Sequence, residues 1–418
     1  MKVKGGNGMA NVLKELASLP LEDRRSMGIE HTPREIASQP RLWIENFKLL
    51  RGREGEIRTF LESNIFLKRK PRVILSGAGT SAFIGLSVQN LLRSRWGIDV
   101  DARPTTDIVT HWDSILLKDA DNVLVSFSRS GNSPESLGTV MLANTFCERI
   151  SHIIITCNKD GKLARLYGDS DNTLLLLLTP ETNDKGLAMT SSFSTMLMTA
   201  QFLAYIDDLE EYEMIINSIS EAAEGIFEEY SSLLKEITEL DFKRAVFLGS
   251  GTLYGCAVES HLKLQELTAG RVICKADSFL GLRHGPEVVI DDKTLVVYFL
   301  SSDPFVRRYE LDLMRDVWAK GIGMTKLVVC DRSDGEVGRY VDHAIEFDRD
   351  GVFRIPDMCR PVMDVTIGQM LGLFKSINLN LKPDNPSEEG IITRVVKGVR
   401  IYDPEAFKRN GEFKVIAE

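Results

Sequence analysis

The sequence predicts an α/β protein made of two similar halves, each a parallel β-sheet covered by helices on both faces. One observation is a glycine loop that occurs twice: Gly77-Ala-Gly-Thr80 returns 172 positions later as Gly249-Ser-Gly-Thr252. Each copy follows a short apolar run and precedes a helix-like stretch. The other observation is an alternation of unbroken apolar runs with segments long enough for crossover helices. That rhythm is typical of parallel sheets buried on both faces.

The composition fits two globular domains with full-sized cores. The chain has 418 residues, of which 43% are hydrophobic and 27% charged. A net charge of −9 argues against binding nucleic acid or an anionic membrane through a general electrostatic field, so local donors must hold any anionic ligand.

The longest apolar runs, such as 174–178, are too short to span a bilayer, and the N-terminus lacks a signal pattern. The six cysteines form no CxxC pair and are expected to be reduced thiols of a cytoplasmic protein.

The elements of the first half follow in order along the chain. Residues 1–8 are rich in Gly and Lys and are expected to be disordered. From about Ala10 to Phe66 the pattern is helical. Strands are predicted at Val73–Ser76, Asn122–Phe127, His152–Cys157 and Thr173–Leu178, and crossover helices at Thr80–Arg95 and Ser133–Cys147.

A helical stretch from Ser191 to about Leu240 separates the halves, and the second half repeats the rhythm. Its strands are predicted at Ala245–Leu248, Val272–Lys275, Thr294–Leu300, Lys326–Val329 and His343–Phe347, and a final helix at Met363–Leu379. The polar, Pro-rich tail after Pro383 is expected to lie across the body as an arm. The predicted boundaries are 1–50 for an N-terminal helical segment, 51–215 and 216–382 for the two α/β domains, and 383–418 for the tail.

The densest polar cluster lies where an apolar strand ends and the next helix begins. It places four hydroxyls and a glycine in the segment Ser126-Phe-Ser-Arg-Ser-Gly-Asn-Ser133. Because helix N-termini attract anions and ligands of open α/β sheets bind at the carboxyl ends of strands, the cluster predicts a phosphate cradle. The alternative is an ordinary helix cap, which needs only one hydroxyl. Ser191 and Ser192 follow another strand and are either a cap or part of the same crevice.

Two further candidates lie in the second half. Lys263 and Glu266 are three residues apart in the helix after the second glycine loop, a spacing for which a surface ion pair is the usual explanation. His284 lies in the turn sequence Leu282-Arg-His-Gly-Pro286 and is a candidate general acid, although a lone histidine is more often structural. The sequence lacks a Walker-type phosphate loop, an HExxH zinc motif and a GxSxG nucleophile motif, which disfavours an ATPase, a zinc hydrolase and a serine hydrolase.

Together these clusters resemble the sugar isomerase (SIS) domain family, in the two-SIS arrangement of the isomerase half of glucosamine-6-phosphate synthase. The match covers about residues 45–400 and is carried by 77–81, 126–133, 262–266 and 283–286. A closer likeness is to the tagatose-6-phosphate ketose/aldose isomerase group, whose members are linked to galactosamine-6-phosphate deamination. That likeness rests on Thr32–Pro40, Glu181–Asp184, Met189–Ser192 and Thr393–Val399.

The resemblance implies a role for each candidate residue. Glu266 moves a proton between C1 and C2 beside Lys263, and His284 opens the sugar ring, reaching the pocket from the partner subunit of a homodimer. Ser191 and Ser192 close the pocket. No metal and no cofactor are implied. The phosphate and hydroxyl groups of the sugar are bound by Gly79, Thr80, Ser81, Ser128, Arg129, Ser130 and Ser133.

Two departures from the synthase bear on the reaction. No glutaminase domain with an N-terminal cysteine nucleophile precedes the SIS domains, so release of ammonia is expected rather than its use. The synthase's C-terminal lysine is also missing. Alignment of the tail on Asp384-Asn-Pro386 puts Ile391 in its place, Lys397 is out of register, and Arg394 is a candidate replacement.

The expected reaction is the cofactor-independent conversion of galactosamine 6-phosphate to tagatose 6-phosphate and ammonia, and the expected ligand a phosphorylated hexosamine or ketohexose. The alternatives are a plain aldose–ketose phosphosugar isomerase, a glucosamine-6-phosphate deaminase, a deglycating enzyme with a larger pocket, or a non-catalytic phosphosugar-binding regulator. A regulator usually carries a basic helix-turn-helix, which the N-terminal region lacks. The presence of both Glu266 and His284 also favours an enzyme.

Overall fold

The computed structural model describes residues 11–387, 389–396 and 398–418. The predicted disorder of residues 1–8 and the register of Lys397 fall outside the described residues. The N-terminal region is helical as predicted, with Gly28 at a φ of 64° ending one helix and Pro33 in the first turn of the next. Its helices are α1 (Val12–Ser18), α2 (Leu21–Met27), α3 (Thr32–Ala37), α4 (Gln39–Arg51) and α5 (Glu54–Leu61), followed by a π-helical turn at Glu62–Phe66.

The first sheet has five parallel strands in the order β2-β1-β3-β4-β5, a doubly wound topology. The four strands predicted for this half are confirmed. The short edge strand β2 and the helix after it were not predicted, because Asp99 and Asp101 interrupt any apolar run there. The elements are β1 (Pro71–Ser76), α6 (Thr80–Trp96), β2 (Asp99–Ala102), α7 (Thr105–Ile115), β3 (Asp121–Ser128), α8 (Pro134–Phe146), β4 (Ile150–Thr156), α9 (Lys162–Tyr167) and β5 (Thr173–Leu177).

The helical stretch predicted between the halves is interrupted. It forms α10 (Ser191–Ala204) and α11 (Leu209–Glu239), with a turn at 205–208. In that turn Asp207 pairs with Arg58, and Asp208 pairs with Arg95. The two acidic side chains thus stabilise a break that hydrophobic periodicity alone did not reveal.

The second sheet has the strand order β10-β9-β8-β6-β7, which is the same topology as that of the first. All five strands predicted for this half and the final helix are confirmed. The elements are β6 (Arg244–Gly249), α12 (Thr252–Leu267), β7 (Ile273–Asp277), α13 (Phe279–Leu282), β8 (Thr294–Phe299), α14 (Pro304–Ala319), β9 (Thr325–Cys330), β10 (His343–Glu346) and α15 (Pro361–Asn378), followed in the tail by β11 (Ile401–Tyr402), α16 (Pro404–Asn410) and β12 (Val415–Ala417).

The described chain forms two compact units, each built around one sheet and each from several segments. The first-sheet unit comprises 45–183, 195–209 and the described part of 389–418, and the second-sheet unit comprises 11–44, 184–194 and 210–387. In each unit the central strands are buried over most of their length, as the unbroken apolar runs predicted. Among the helices of the described residues, none combines the length and apolarity needed to cross a bilayer.

The C-terminal tail ends in an anchored hairpin, formed by antiparallel pairing of β11 with β12. Ile401 packs on Gly138 of α8, where a Cβ would lie 2.7 Å from Ile401 Cγ2. Lys408 lies over the ring of Trp112, with Nζ 4.4 Å from the ring centroid. The tail that was expected to form an arm is therefore fastened, within the first-sheet unit, to α7 and α8.

Candidate active site

The two glycine loops have nearly the same backbone. Gly79 has φ 54° and ψ −127°, and Gly251 has φ 56° and ψ −121°, a conformation that only glycine adopts without strain. A Cβ at Gly77 would lie 2.5 Å from the backbone four residues on, and one at Gly249 would lie 2.2 Å from it. Each loop therefore turns into its helix so tightly that backbone touches backbone. The repeated motif is a repeated structure.

The binding candidates of the first-sheet unit lie at the carboxyl ends of β1 and β3. These strands are neighbours, with Ser76 opposite Ser126. The chain leaves β1 towards β2 and leaves β3 towards β4, on opposite sides, so this is the crevice where ligands of doubly wound sheets bind. The loop after β1 carries Gly79, Thr80 and Ser81, and the loop after β3 carries Ser128, Arg129, Ser130 and Ser133.

The loop after β3 is shaped by its own hydrogen bonds. The N–H of Gly131 donates to Ser128 Oγ at 3.1 Å, and the N–H of Asn132 donates to Ser130 Oγ at 3.3 Å. Gly131 has φ 66°, in the left-handed region. Within the described residues Ser133 makes no capping bond to α8, and its Oγ lies 2.6 Å from Ser136 Oγ. The hydroxyls are thus spread over the loop rather than gathered as one helix cap.

Arg129 provides the positive charge of this loop and is almost completely buried, with 6% of its surface exposed. Its Nη2 donates to the carbonyl oxygen of Arg394 at 2.7 Å. The guanidinium of Arg394 in turn donates to Asn183 Oδ1 at 2.8 Å. The structure therefore brings Arg394 to the cradle, with its backbone against Arg129 and its charge directed to Asn183.

Lys263 and Glu266 belong to a buried ion triad on α12. Lys263 Nζ lies 2.7 Å from Glu266 Oε2 and 3.2 Å from Glu259 Oε1. The side chains of Lys263 and Glu259 are fully buried, whereas that of Glu266 is 25% exposed. The surface ion pair that usually explains this spacing is therefore wrong here. Glu266 is the member of the triad whose side chain reaches solvent.

Two opposing effects set the pKa of the Lys263 ammonium. Burial alone would lower the pKa of its ammonium, but the carboxylates of Glu259 and Glu266 outweigh burial and raise that pKa above its usual range. The ammonium therefore stays protonated at neutral pH. A fixed positive charge in a water-poor site can stabilise negative charge that develops on a ligand oxygen.

His284 lies in an exposed turn between α13 and a short 3-10 helix. Gly285 makes this turn with φ 115°, and the backbone N–H of His284 donates to the carbonyl of Gly281 at 3.1 Å. The turn predicted from the Gly-Pro sequence is confirmed. Two apolar side chains near His284 are exposed, Leu280 at 46% and Val288 at 89%. The loop therefore exposes His284 together with two apolar side chains.

Ser191 and Ser192 open α10, and both of their hydroxyls donate to the carboxylate of Asp184 at 2.5 Å. The backbone N–H groups of Thr190, Ser191 and Ser192 donate to the same carboxylate at 2.8, 3.1 and 3.0 Å. All four residues are fully buried. Asp184 is thus a buried hydrogen-bond acceptor at the N-terminus of α10. Contact of the two serines with a sugar stays a prediction.

Sequence reasoning missed the parts played by Glu259 and Asp184. Glu259 lies four residues before Lys263, so it shares the helix face of the Lys263–Glu266 pair, and that spacing was a usable signal. Asp184 was noticed only as part of a motif. No periodic pattern reports a bond that joins a loop residue to a helix seven and eight residues further on.

The comparisons with known proteins agree with this architecture. The SIS domain family matches residues 65–206. The D-galactosamine-6-phosphate deaminase AgaS of Escherichia coli is 37% identical over 384 residues, which cover 90% of this chain and 96% of that protein. The chain belongs to the AgaS group of two-SIS-domain sugar isomerases. The family resemblance and the fold class predicted from the sequence are thereby confirmed.

Two solved structures are similar to this chain. Tagatose-6-phosphate ketose/aldose isomerase from Escherichia coli has a TM-score of 0.82 at 35% identity, covering 89% of this chain and 96% of that one. A protein from Clostridium novyi NT, provisionally assigned the same activity, has a TM-score of 0.89 at 38% identity, covering 92% and 97%. The SIS match ends before the second sheet, so the second SIS-type domain of this AgaS-group chain is recognised by its strand order and glycine loop.

Proposed function

We propose that the chain converts galactosamine 6-phosphate to tagatose 6-phosphate and ammonia. The observation that carries this proposal is the triad on α12, in which a partly exposed carboxylate lies beside a permanently charged, buried ammonium. Aldose–ketose interconversion needs one carboxylate that takes a proton from C2 and returns it to C1. The name of the E. coli relative, D-galactosamine-6-phosphate deaminase, supports the same reaction.

In the proposed reaction, Glu266 removes the C2 proton of the open-chain amino sugar. The electron pair forms a C1–C2 double bond, and negative charge moves to the C1 oxygen, where Lys263 stabilises it. Glu266 then returns the proton to C1, the amino nitrogen gives up one proton and the C1 oxygen gains one, which leaves a C1 hydroxyl and a C2 imine. Water adds to the imine, the C2–N bond breaks, and the products are the ketose and ammonia.

The phosphate is proposed to bind at the loops after β1 and β3, where it orients the sugar carbons with binding energy from a remote group. Arg129 supplies the charge, and the N-terminus of α8 supplies N–H donors. The hydroxyls of Thr80, Ser81 and Ser128 offer further hydrogen bonds. Arg394 is proposed to lie near the bound sugar through its link to Arg129.

We further propose a homodimer in which His284 opens the ring of the sugar bound to the partner subunit. The exposed apolar Leu280 and Val288 beside His284 support an interface at this loop. Mixing two inactive variants, Glu266→Gln and His284→Asn, tests this arrangement. After exchange of subunits, about half of the dimers contain one subunit of each variant. Each mixed dimer has one site with both residues intact and one with neither, so activity should return to about a quarter of the wild-type level. No recovery after subunit exchange would refute the shared site.

Ammonia release from galactosamine 6-phosphate and glucosamine 6-phosphate tests the reaction itself. Release should be faster with the galacto substrate and should collapse in Glu266→Gln, whose amide cannot carry the proton. His284→Asn should lose less activity on an open-chain analogue than on the cyclic sugar. Full turnover in Glu266→Gln would exclude its proposed role.

A plain aldose–ketose isomerase is the second candidate, because the similar E. coli structure is named for that activity. Conversion of an aldose 6-phosphate without an amino group, together with no ammonia from either amino sugar, would favour it.

We also propose that the enzyme works in the cytoplasm, since all six cysteines are free, as expected in a reducing compartment.

A further inference from the structure

Three segments that take no part in the proposed proton transfer lie together in the second-sheet unit. They are the Thr32–Pro40 motif, which begins with α3, the loop from Asp184 to Ser192, and the segment around Asp384. Thr32 donates to Asp384 Oδ1 through its hydroxyl at 2.6 Å and through its N–H at 2.8 Å. The N–H of Leu187, inside the loop, donates to the carbonyl of Asp384 at 2.9 Å. The N-terminal motif and the loop that carries the two serines thus share one anchor.

Glu35 makes the direct contact between α3 and this loop. Its Oε1 accepts hydrogen bonds from the N–H groups of Lys185 and of Gly186, the latter at 3.2 Å. Its Oε2 is fully enclosed and has no hydrogen-bond partner in the described part of the chain. A Cβ at Gly186 would lie 2.9 Å from Thr32 Oγ1 and 3.0 Å from Glu35 Oε2. The loop can press against α3 this closely because residue 186 is glycine.

The charges around Glu35 favour its neutral form. Burial and then the neighbouring carboxylate of Asp184 raise the pKa of Glu35 to about 8, and Asp384 adds to the increase. The two backbone N–H groups act in the opposite direction. Among the described elements, α1 and α15 also pack on α3. From α1, the carbonyl oxygen of Ala17 accepts a hydrogen bond from Arg34 Nε. From α15, the neutral side-chain amide of Gln369 accepts a hydrogen bond from the amide of Gln39.

We propose that Glu35 and Asp184 are positioning residues for the Ser191–Ser192 hydroxyl pair, and that Glu35 carries a proton in the active form. With Glu35 neutral, residues 184–186 stay on α3, and the Asp184 carboxylate holds both hydroxyls. Ionisation of Glu35 would collect three negative charges from Glu35, Asp184 and Asp384, and their repulsion would displace the loop. The inference rests on the proposed function and on the family resemblance, which implies that the two serines close the sugar site.

The test is binding of galactitol 6-phosphate by titration calorimetry at pH 7 and pH 9. This polyol phosphate has no amino group to titrate, and its phosphate is almost fully ionised from pH 7 upward. If only the protein with neutral Glu35 binds, a midpoint near pH 8 makes the dissociation constant of the wild type rise about tenfold between the two pH values. Glu35→Gln keeps the Oε1 acceptor and is permanently neutral, so its dissociation constant should change by less than twofold.

A matched control comes from the same N-terminal segment. Glu30→Gln removes a carboxyl that pairs with Arg25 at the surface, and it should show the wild-type pH dependence. Asp184→Asn replaces the acceptor of both hydroxyls and should weaken binding already at pH 7. Thermal melting of every variant at both pH values separates loss of binding from loss of fold. The Glu35→Gln comparison decides the proposal even where Asp184→Asn does not fold.

Each outcome has one meaning. The proposal is overturned if the dissociation constant depends on pH equally in the wild type and in Glu35→Gln. It is also overturned if the wild type shows no pH dependence, or if Glu30→Gln loses the pH dependence. Wild-type affinity in Asp184→Asn overturns the role of Asp184. A wild-type protein that binds the polyol phosphate but releases no ammonia refutes the proposed reaction, while the pH comparison still decides this inference.

Discussion

Replacement of Lys263 by methionine tests the ion triad on α12, because it removes the ammonium and keeps most of the side-chain volume. In the structure this ammonium contacts Glu259 at 3.2 Å and Glu266 at 2.7 Å, and two of the three side chains are fully buried. Removal of one partner of a buried ion pair costs about 3–5 kcal/mol, because the other charge stays buried without compensation. An exposed pair would cost about 0–1 kcal/mol. The difference is large enough to decide between the two situations.

The assay is thermal unfolding of Lys263→Met, of Glu259→Gln and of the double variant. The single lysine variant should melt on the order of 10 °C below the wild type. The double variant should recover much of this loss, since a buried ion pair replaced on both sides is often nearly neutral in stability. Glu266→Gln serves as the control at the exposed end and should melt within a few degrees of the wild type. A loss below about 1 kcal/mol in Lys263→Met, or no recovery in the double variant, would refute the buried triad.

Three further predictions follow from particular contacts. Burial and Asp184 hold the pKa of Glu35 at about 8 in the folded chain, against 4.5 for an ordinary glutamate. The free energy of unfolding should therefore fall as the pH rises from about 4.5 through 8. Melting curves of Glu35→Gln, recorded over the same pH range, should lack this part of the decrease. Gly79→Ala and Gly251→Ala place the same strain of about 1–3 kcal/mol in the two glycine loops, so both should lose similar stability, but only Gly79→Ala should raise KM for the phosphosugar. Gly138→Ala should push Ile401 off α8 and make the C-terminal hairpin sensitive to limited proteolysis, and the added change Ile401→Ala should restore resistance.

The central strands could be predicted from the sequence because most of their residues are buried and apolar. All residues of Thr294–Phe299 are buried, so the apolar run is unbroken, and nine of the ten strands in the two parallel sheets of the described chain were predicted. The edge strand β2 did not, because the first of its four residues is exposed and two are aspartates. A short half-exposed strand is stabilised by its pairing with β1, and pairing leaves no local pattern.

The candidate site was predictable where its residues are close in the chain. The cradle after β3 and the Lys263–Glu266 pair each lie within one short segment. The burial of Lys263 was not predictable, since it depends on the packing of α12 against α15 and the sheet. The contact of Glu35 with Lys185 joins residues 150 positions apart, and such closeness appears only in the folded chain.

The interleaving of the two compact units bears on how the chain folds during synthesis. The first-sheet unit contains the C-terminal hairpin, which supplies side chains to the core beside α8. The second-sheet unit contains residues near the N-terminus that bind a loop in the middle of the chain and Asp384 near the end. The second-sheet unit is complete only after the segment around Asp384 has been synthesised, and the first-sheet unit only after the hairpin that follows it, although N-terminal domains usually fold first. The two units are therefore expected to be completed late and one soon after the other, and no single cut in the chain would yield two independent SIS proteins.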